Sequence, residues 1–280
     1  MGTYWGYRAA QAVAERLTPR AAYRLAAWCA DGQFARARRQ REAVCNNLAI
    51  LLGRSPEDAI TTASEVFRHF AWYLVEFLTI HRVRHPMVAV EGQEHLRQAQ
   101  QAGRGVIILT AHLGNWEVGA VLLRRMGYPI SAVALPHADA RLEALFNEQR
   151  RRCGVAATPL SPDAARWSLA RLRQGHLLGL LGDQDFAGDG LTMRIGGGCL
   201  TVPKGPAVLS ARSRAPIVPT VLIREGVWNF RLRHEPPLWP DRDGQPSSAV
   251  PRLMGAYAEA LQQWLMRTPQ QWVMFQPVMR

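Results

Sequence analysis

The run Val106-Ile107-Ile108-Leu109-Thr110 leads directly into Ala111-His112-Leu113-Gly114-Asn115-Trp116-Glu117. A short apolar run bounded by turn residues reads as a buried strand. Gly114-Asn115 reads as the turn and helix N-cap, and Glu117 falls in the first helical turn, where the macrodipole favours an anion. On one continuous helix, positions five apart would point about 140° away from each other. His112 and Glu117 can therefore meet only across a turn. The pattern predicts an imidazole at the C-terminal end of a strand, with a carboxylate able to orient it, which is the arrangement of a general base for a hydroxyl.

Three readings of His112 stand side by side. It closes a strand end as a structural histidine, it ligates a metal, or it belongs to an acid/base pair. A lone His-x4-Glu lacks the tighter spacings of zinc motifs. Gly182-Asp183-Gln184-Asp185 follows a second apolar run, Leu177-Leu178-Gly179-Leu180-Leu181. In α/β folds ligands bind outside the carboxyl ends of strands, so this block and His112 are expected to share a site. Its carboxylates could hold the histidine, bind a metal or cap a turn. Asp185 is favoured over Asp183, because it lies farther past the strand end and is better placed to turn back. Gly196-Gly197-Gly198 lacks the Gly-Lys-Ser/Thr ending of a phosphate loop.

Residues 1–85 read as helical, with Thr18-Pro19 and Ser55-Pro56-Glu57-Asp58 as start signals. Val66, Phe70, Tyr73, Leu74 and Phe77 recur at helical spacing and read as a core face. Beyond Pro86, strands are expected at 88–90, 106–110, 130–134, 177–181, 217–222 and 227–233. Helices are expected near 93–102, 116–126, 138–153, 163–174 and 204–213, then a loop at 236–251 and a final helix at 252–267. This alternation indicates a mixed-sheet α/β sandwich over residues 86–280, preceded by a helical N-terminal region over 1–85.

Arg and Lys total 34 against 22 Asp and Glu, a net charge of +12, and Lys204 is the only lysine. An arginine-rich surface suits nucleic acid, an anionic membrane or an acidic carrier protein. The arginines are interspersed with acids rather than gathered on one face, which argues against nucleic acid. Cys29, Cys45, Cys153 and Cys199 show no paired spacing, so a zinc cluster or disulfide framework is not indicated. No stretch approaches the roughly 18–20 apolar residues of a membrane span, and no signal-peptide order is evident. Tyr4, Trp5, Tyr7, Tyr23, Trp28 and Phe34 interleave with arginines, as suits the headgroup level of a bilayer.

Ala111–Glu117 resembles the His-x4-Asp/Glu signature of glycerolipid-type acyltransferases, in the form used by the late acyltransferases of lipid A biosynthesis. Further similar blocks are Phe67–Glu76, Gly182–Asp185, Val202-Pro203-Lys204-Gly205-Pro206-Ala207, and Pro269-Gln270-Gln271-Trp272. Met193-Arg194-Ile195-Gly196 departs from the family pattern, as does the want of the N-terminal membrane span that many members carry. The resemblance implies transfer of a fatty acyl chain from acyl carrier protein or acyl-CoA to a hydroxyl of a lipid A precursor or related glycolipid. It implies work at the cytoplasmic face of the bacterial inner membrane, here with peripheral attachment, by a monomer needing no metal or organic cofactor. His112 would be the base and Glu117 its orienting partner, with Asp185 or Asp183 in support. Gly114, Asn115, Gln184, Arg194 and Lys204 are the expected substrate contacts. Two alternatives are a metal-dependent hydrolase using His112, Glu117, Asp183 and Asp185, and a non-enzymatic binder of anionic lipid or nucleic acid.

Overall fold

The computed structural model describes residues 4–83, 85–241 and 246–280. Four helices come first: α1 (Tyr4–Ala14), α2 (Pro19–Arg36), α3 (Arg38–Leu52) and α4 (Ile60–Thr79). Thr18 Oγ1 accepts from the Ala21 amide, and Pro19 sits where a missing N–H leaves nothing unpaired. At Ser55 the hydroxyl accepts from the Asp58 amide at 3.2 Å, so the start signal builds a turn and α4 begins at Ile60.

Strands and helices then alternate. They run β1 (Met87–Glu91), α5 (Gln93–Gln100), β2 (Val106–Thr110), α6 (Trp116–Arg125), β3 (Ile130–Ala134), α7 (Ala140–Arg152), β4 (Ala156–Pro159), α8 (Ala164–Arg173) and β5 (Leu177–Leu181). After these come β6 (Leu191–Ile195), β7 (Gly198–Val202), α9 (Gly205–Ser213), β8 (Ile217–Gly226), β9 (Asn229–His234) and α10 (Pro246–Arg267). Seven strands form one sheet in the order β1-β9-β8-β2-β5-β3-β4. Only the β8–β9 contact is antiparallel; the other neighbours are parallel, giving the mixed sheet that the patterning predicts.

β2 lies between β8 and β5, and its side chains serve two cores by strand alternation. Ile107 and Leu109 join Val44, Leu48, Val66, Ala207 and Leu253 from α3, α4, α9 and α10. Val106 and Ile108 join Leu96, Val118 and Val121 from α5 and α6. A separate cluster gathers Tyr7, Phe77, Leu78, Leu142, Leu145 and Phe146 from α1, α4 and α7.

Gly196 and Gly197 form the turn of the β6–β7 hairpin and Gly198 opens β7: Gly196 has φ +57°, and a Cβ there would lie 2.1 Å from the Leu51 carbonyl oxygen. One boundary is corrected. The last helix starts at Pro246, not after Pro251, which sits inside it. Burial of Ala249, Val250 and Leu253 outweighs the proline's helix-breaking tendency. Residues 242–245 of the expected loop lie outside the described residues.

Candidate active site

Thr110 of β2 pairs with Leu181 of β5 in parallel register. His112 and Asp183 each stand two residues past those partners, so the two strand ends deliver them to the same place. His112 Nδ1 lies 2.9 Å from Asp183 Oδ1, and the His112 backbone amide donates to Asp183 Oδ2 at 2.9 Å. An ionised carboxylate only accepts, so Nδ1 carries the proton and Nε2 keeps its lone pair. Trp272 Nε1 donates to Asp183 Oδ2 at 3.0 Å. Asp183 is fully buried. Burial by itself would raise its pKa, but the His112 charge and the hydrogen bonds from His112 and Trp272 outweigh it and hold the carboxyl below its ordinary range.

Asp185, the favoured carboxylate of the sequence reading, caps the following turn by accepting from the Ala187 and Gly190 amides at 3.1 and 2.8 Å. The partner of the histidine ring is Asp183. Nor does Glu117 make the expected contact with the imidazole. Its carboxylate is bound by Arg150 of α7, with Nε at 3.1 and 3.2 Å from its two oxygens, and both side chains are buried. Arg150 also donates to Asn147 Oδ1 at 2.9 Å. Burial works to lower the Arg150 pKa, but Glu117 overrides it and raises it.

The loop from Ala111 to Asn115 is clamped from two sides. The Gly114 amide donates to the Gln271 carbonyl and the Val273 amide to the His112 carbonyl, at 3.0 and 2.8 Å. The Asn115 amide donates to the Leu222 carbonyl of β8 at 3.0 Å. Gly114 has φ +67°, and a Cβ there would stand 1.8 Å from the Leu222 carbonyl oxygen, so only glycine fits. Asn115 caps α6 through Oδ1, which accepts from the Val118 amide at 3.1 Å. Its Nδ2 donates to Glu76 Oε2 of α4 at 2.7 Å. Glu76 is wholly buried and also accepts from Arg224 and from the Tyr23 hydroxyl. The family-like block at 67–76 thus anchors the loop that carries His112, and the Pro269–Trp272 block clamps it.

A cavity of about 1080 Å³ opens beside His112. Its walls are mainly apolar, from Tyr73 and Leu74 of α4, Trp116 and Leu123 of α6, Ala132 of β3, Leu142 and Phe146 of α7, and Gly179 of β5. The α4 stripe read as core therefore divides its work: Val66 and Phe77 are buried in packing, whereas Phe70, Tyr73 and Leu74 face the cavity. His112, Glu117, Arg150, Gln184, Asp185 and Lys204 share this wall. Gln184 is hydrogen-bonded to Gln276, and Lys204 Nζ lies 3.7 Å from Asp189. Asn115 is sequestered in the loop anchor, and Arg194 is exposed on β6 away from the wall.

Among the described residues no His/Cys/Asp/Glu group is arranged to hold a metal ion. Glu117 and Asp185 are engaged by Arg150 and by backbone amides rather than converging with His112 and Asp183. The four-ligand hydrolase reading is unsupported.

A histidine held by a buried carboxylate thus stands beside a mainly apolar chamber. The family model described as bacterial lipid A biosynthesis acyltransferase matches residues 2–280. The chain belongs to that family, which makes it an O-acyltransferase rather than a non-enzymatic binder. A phosphatidylinositol mannoside acyltransferase of Mycobacterium tuberculosis is 28% identical over 289 aligned positions, covering 98% of this chain and 88% of the relative. The protein of that name from Mycolicibacterium smegmatis is 26% identical, covering 84% and 78%. A lipid A biosynthesis palmitoleoyltransferase of Escherichia coli is 26% identical, covering 78% and 71%.

Proposed function

We propose that this enzyme moves a fatty acyl chain from a thioester of acyl carrier protein or coenzyme A to a hydroxyl of an anionic membrane glycolipid. The observation that carries this reading is the His112–Asp183 pair at the mouth of the apolar cavity. His112 Nε2 takes the proton of the acceptor hydroxyl as its oxygen attacks the thioester carbonyl, a contribution of roughly 10²–10⁴ in rate. The tetrahedral intermediate collapses with cleavage of the carbon–sulfur bond, and the imidazolium returns the proton to the departing thiolate. Asp183 fixes the ring and stabilises its charged form without accepting the proton. The acyl group passes directly to the acceptor in this scheme, and none of the four cysteines lines the cavity.

At the start of α6 the Asn115 amide donates to the Leu222 carbonyl and the Val118 amide to Asn115 Oδ1. Arg150 supplies the positive charge on the wall where the oxyanion develops, and Glu117 acts by holding that guanidinium in place. No metal or organic cofactor enters the scheme.

Attachment to the inner membrane's cytoplasmic face is peripheral, as a monomer, through α1 and α2. No helix among the described residues is long and apolar enough to cross a membrane. Trp5 and Trp28 are 69% and 73% exposed, beside exposed Arg8, Arg16, Arg20 and Arg24. Aromatic insertion and arginine–phosphate attraction together suit an anionic bilayer. Sedimentation with phosphatidylglycerol vesicles should therefore weaken in high salt and in Trp5→Ala/Trp28→Ala; binding indifferent to both removes the peripheral reading.

The transfer itself is tested with purified enzyme, labelled acyl-CoA or acyl carrier protein thioesters, and bacterial glycolipid extracts, with products read by mass spectrometry. An ester-linked acyl glycolipid that is lost in His112→Ala supports the reading. Thioester hydrolysis without ester formation, or no turnover of either donor, contradicts it.

A further inference from the structure

We infer that Tyr7 of α1 sets the longest acyl chain this enzyme accepts, by closing the end of the cavity remote from His112; this rests on the acyl-transfer reading above. A row of aromatic rings leads away from the base. His112 and Trp116 are 5.0 Å apart between ring centroids, Trp116 and Tyr73 4.5 Å, Tyr73 and Phe77 6.4 Å, Phe77 and Phe146 5.1 Å, and Phe146 and Tyr7 5.8 Å. All of these except Phe77 also line the cavity, so the row is its wall and Tyr7 stands five steps from the reacting nitrogen.

Tyr7 is the single residue of α1 on that wall. It is 9% exposed and packs edge-on against Phe146. On the same helix Trp5 is largely exposed, whereas Tyr4 is half-buried against the Tyr7–Phe146 cluster. The helix is fastened near its far end, where buried Gln11 donates to the Leu78 carbonyl at 3.3 Å. A hydrocarbon chain offers no polar handle, so its length can be read only where a wall stops it. The sheet side is built for the chain's width: Ala132 and Gly179 sit side by side, and a Cβ at Gly179 would meet Ala132 Cβ at an ordinary 3.8 Å. The phenol of Tyr7 is the group that α1 presents to this wall.

The test compares wild type, Tyr7→Ala, Tyr7→Leu and Tyr7→Trp in the full chain. Each is given a homologous series of saturated acyl-CoA and acyl carrier protein donors, with a glycolipid extract as acceptor and a thermal melt to verify folding. Tyr7→Ala and Tyr7→Leu should move the cutoff to longer chains. The first chain rejected by wild type should gain roughly 10-fold or more in kcat/KM, the discrimination a few methylenes give in an apolar pocket. Tyr7→Trp should move the cutoff shorter. If Tyr7→Ala fails to fold, Tyr7→Leu and Tyr7→Trp decide. Unchanged length profiles in the folded variants overturn the role of Tyr7 and leave acyl transfer standing. A wild type inactive with every donor overturns acyl transfer itself.

Discussion

Asp183 holds His112 at two points, one carboxylate oxygen on the ring Nδ1 and the other on the backbone amide, each at 2.9 Å. The ring is thereby fixed in tautomer by the first contact and in position by the second. Trp272 adds a third fixed point by donating to the amide-bound oxygen. A buried carboxylate with three donors stays ionised, which is the state that supports an imidazolium during turnover.

Glu117 is expected to act through Arg150. Glu117→Gln leaves a buried guanidinium without its counter-charge, which costs about 3–5 kcal/mol, together with a large fall in kcat. Adding Arg150→Met should recover stability but not turnover. Denaturant unfolding and steady-state kinetics measure both; a Glu117→Gln enzyme of wild-type stability would show that Arg150 does not depend on Glu117, and the pairing would fall.

The loop anchor has its own signature. Asn115→Ser keeps a good helix cap but removes the amide that donates to Glu76, for a loss of about 1 kcal/mol. Kcat should fall while KM is little changed, because the loop that carries His112 is loosened and the chamber is not. Glu76→Ala should be far more damaging, by about 3–5 kcal/mol, since Arg224 is buried against it. Equal stabilities for these two variants would refute the anchor.

Much of this was legible in the sequence, and the reasons it was are local. β2, β3 and β5 match the expected runs residue for residue, because short central strands read as nearly continuous apolar runs. The β6–β7 hairpin escaped notice because Thr192 and Arg194 point outward and the turn is glycine-rich. His112 announced itself as a strand-end imidazole, but its partner depends on the register of two strands 71 residues apart. Sequence distance favoured Glu117, and reach past the strand favoured Asp185. Equal offset past aligned strands selects Asp183, and an assumption of parallel neighbours with level ends would have found it. Arg150 sat in a basic run whose other members, Arg151 and Arg152, pair with Glu148 on the surface, so nothing local marked it.

Acid should destabilise the fold through two histidines, His69, half-buried beside Arg224, and the buried His234. Burial, then the neighbouring Arg224, lowers the pKa of His69 to about 3, and burial lowers that of His234 to about 4. Both are neutral in the fold, whereas in the unfolded chain they titrate near 6.5. Below that pH the unfolded state binds protons that the folded state does not, so stability is full above about 6.5 and falls towards about 4 and 3. Each contributes a slope of about 1.4 kcal/mol per pH unit in its window. Urea unfolding across this range should show it, with a shallower slope in His234→Gln. A flat profile, or no change of slope in that variant, contradicts the burial of these rings as neutral species.

The central claim is that Asp183 sets up His112 as the base for acyl transfer, and Asp183→Asn tests it most directly. Asparagine keeps the shape and can still accept from Trp272, but its amide turned towards Nδ1 forces the ring into the wrong tautomer. Transfer from acyl-CoA or acyl carrier protein to glycolipid should lose roughly 10³–10⁴ in kcat, with KM and folding near those of wild type. A folded Asp183→Asn enzyme turning over at the wild-type rate would show that the carboxylate does not serve the base, and the account of the site would fall with it.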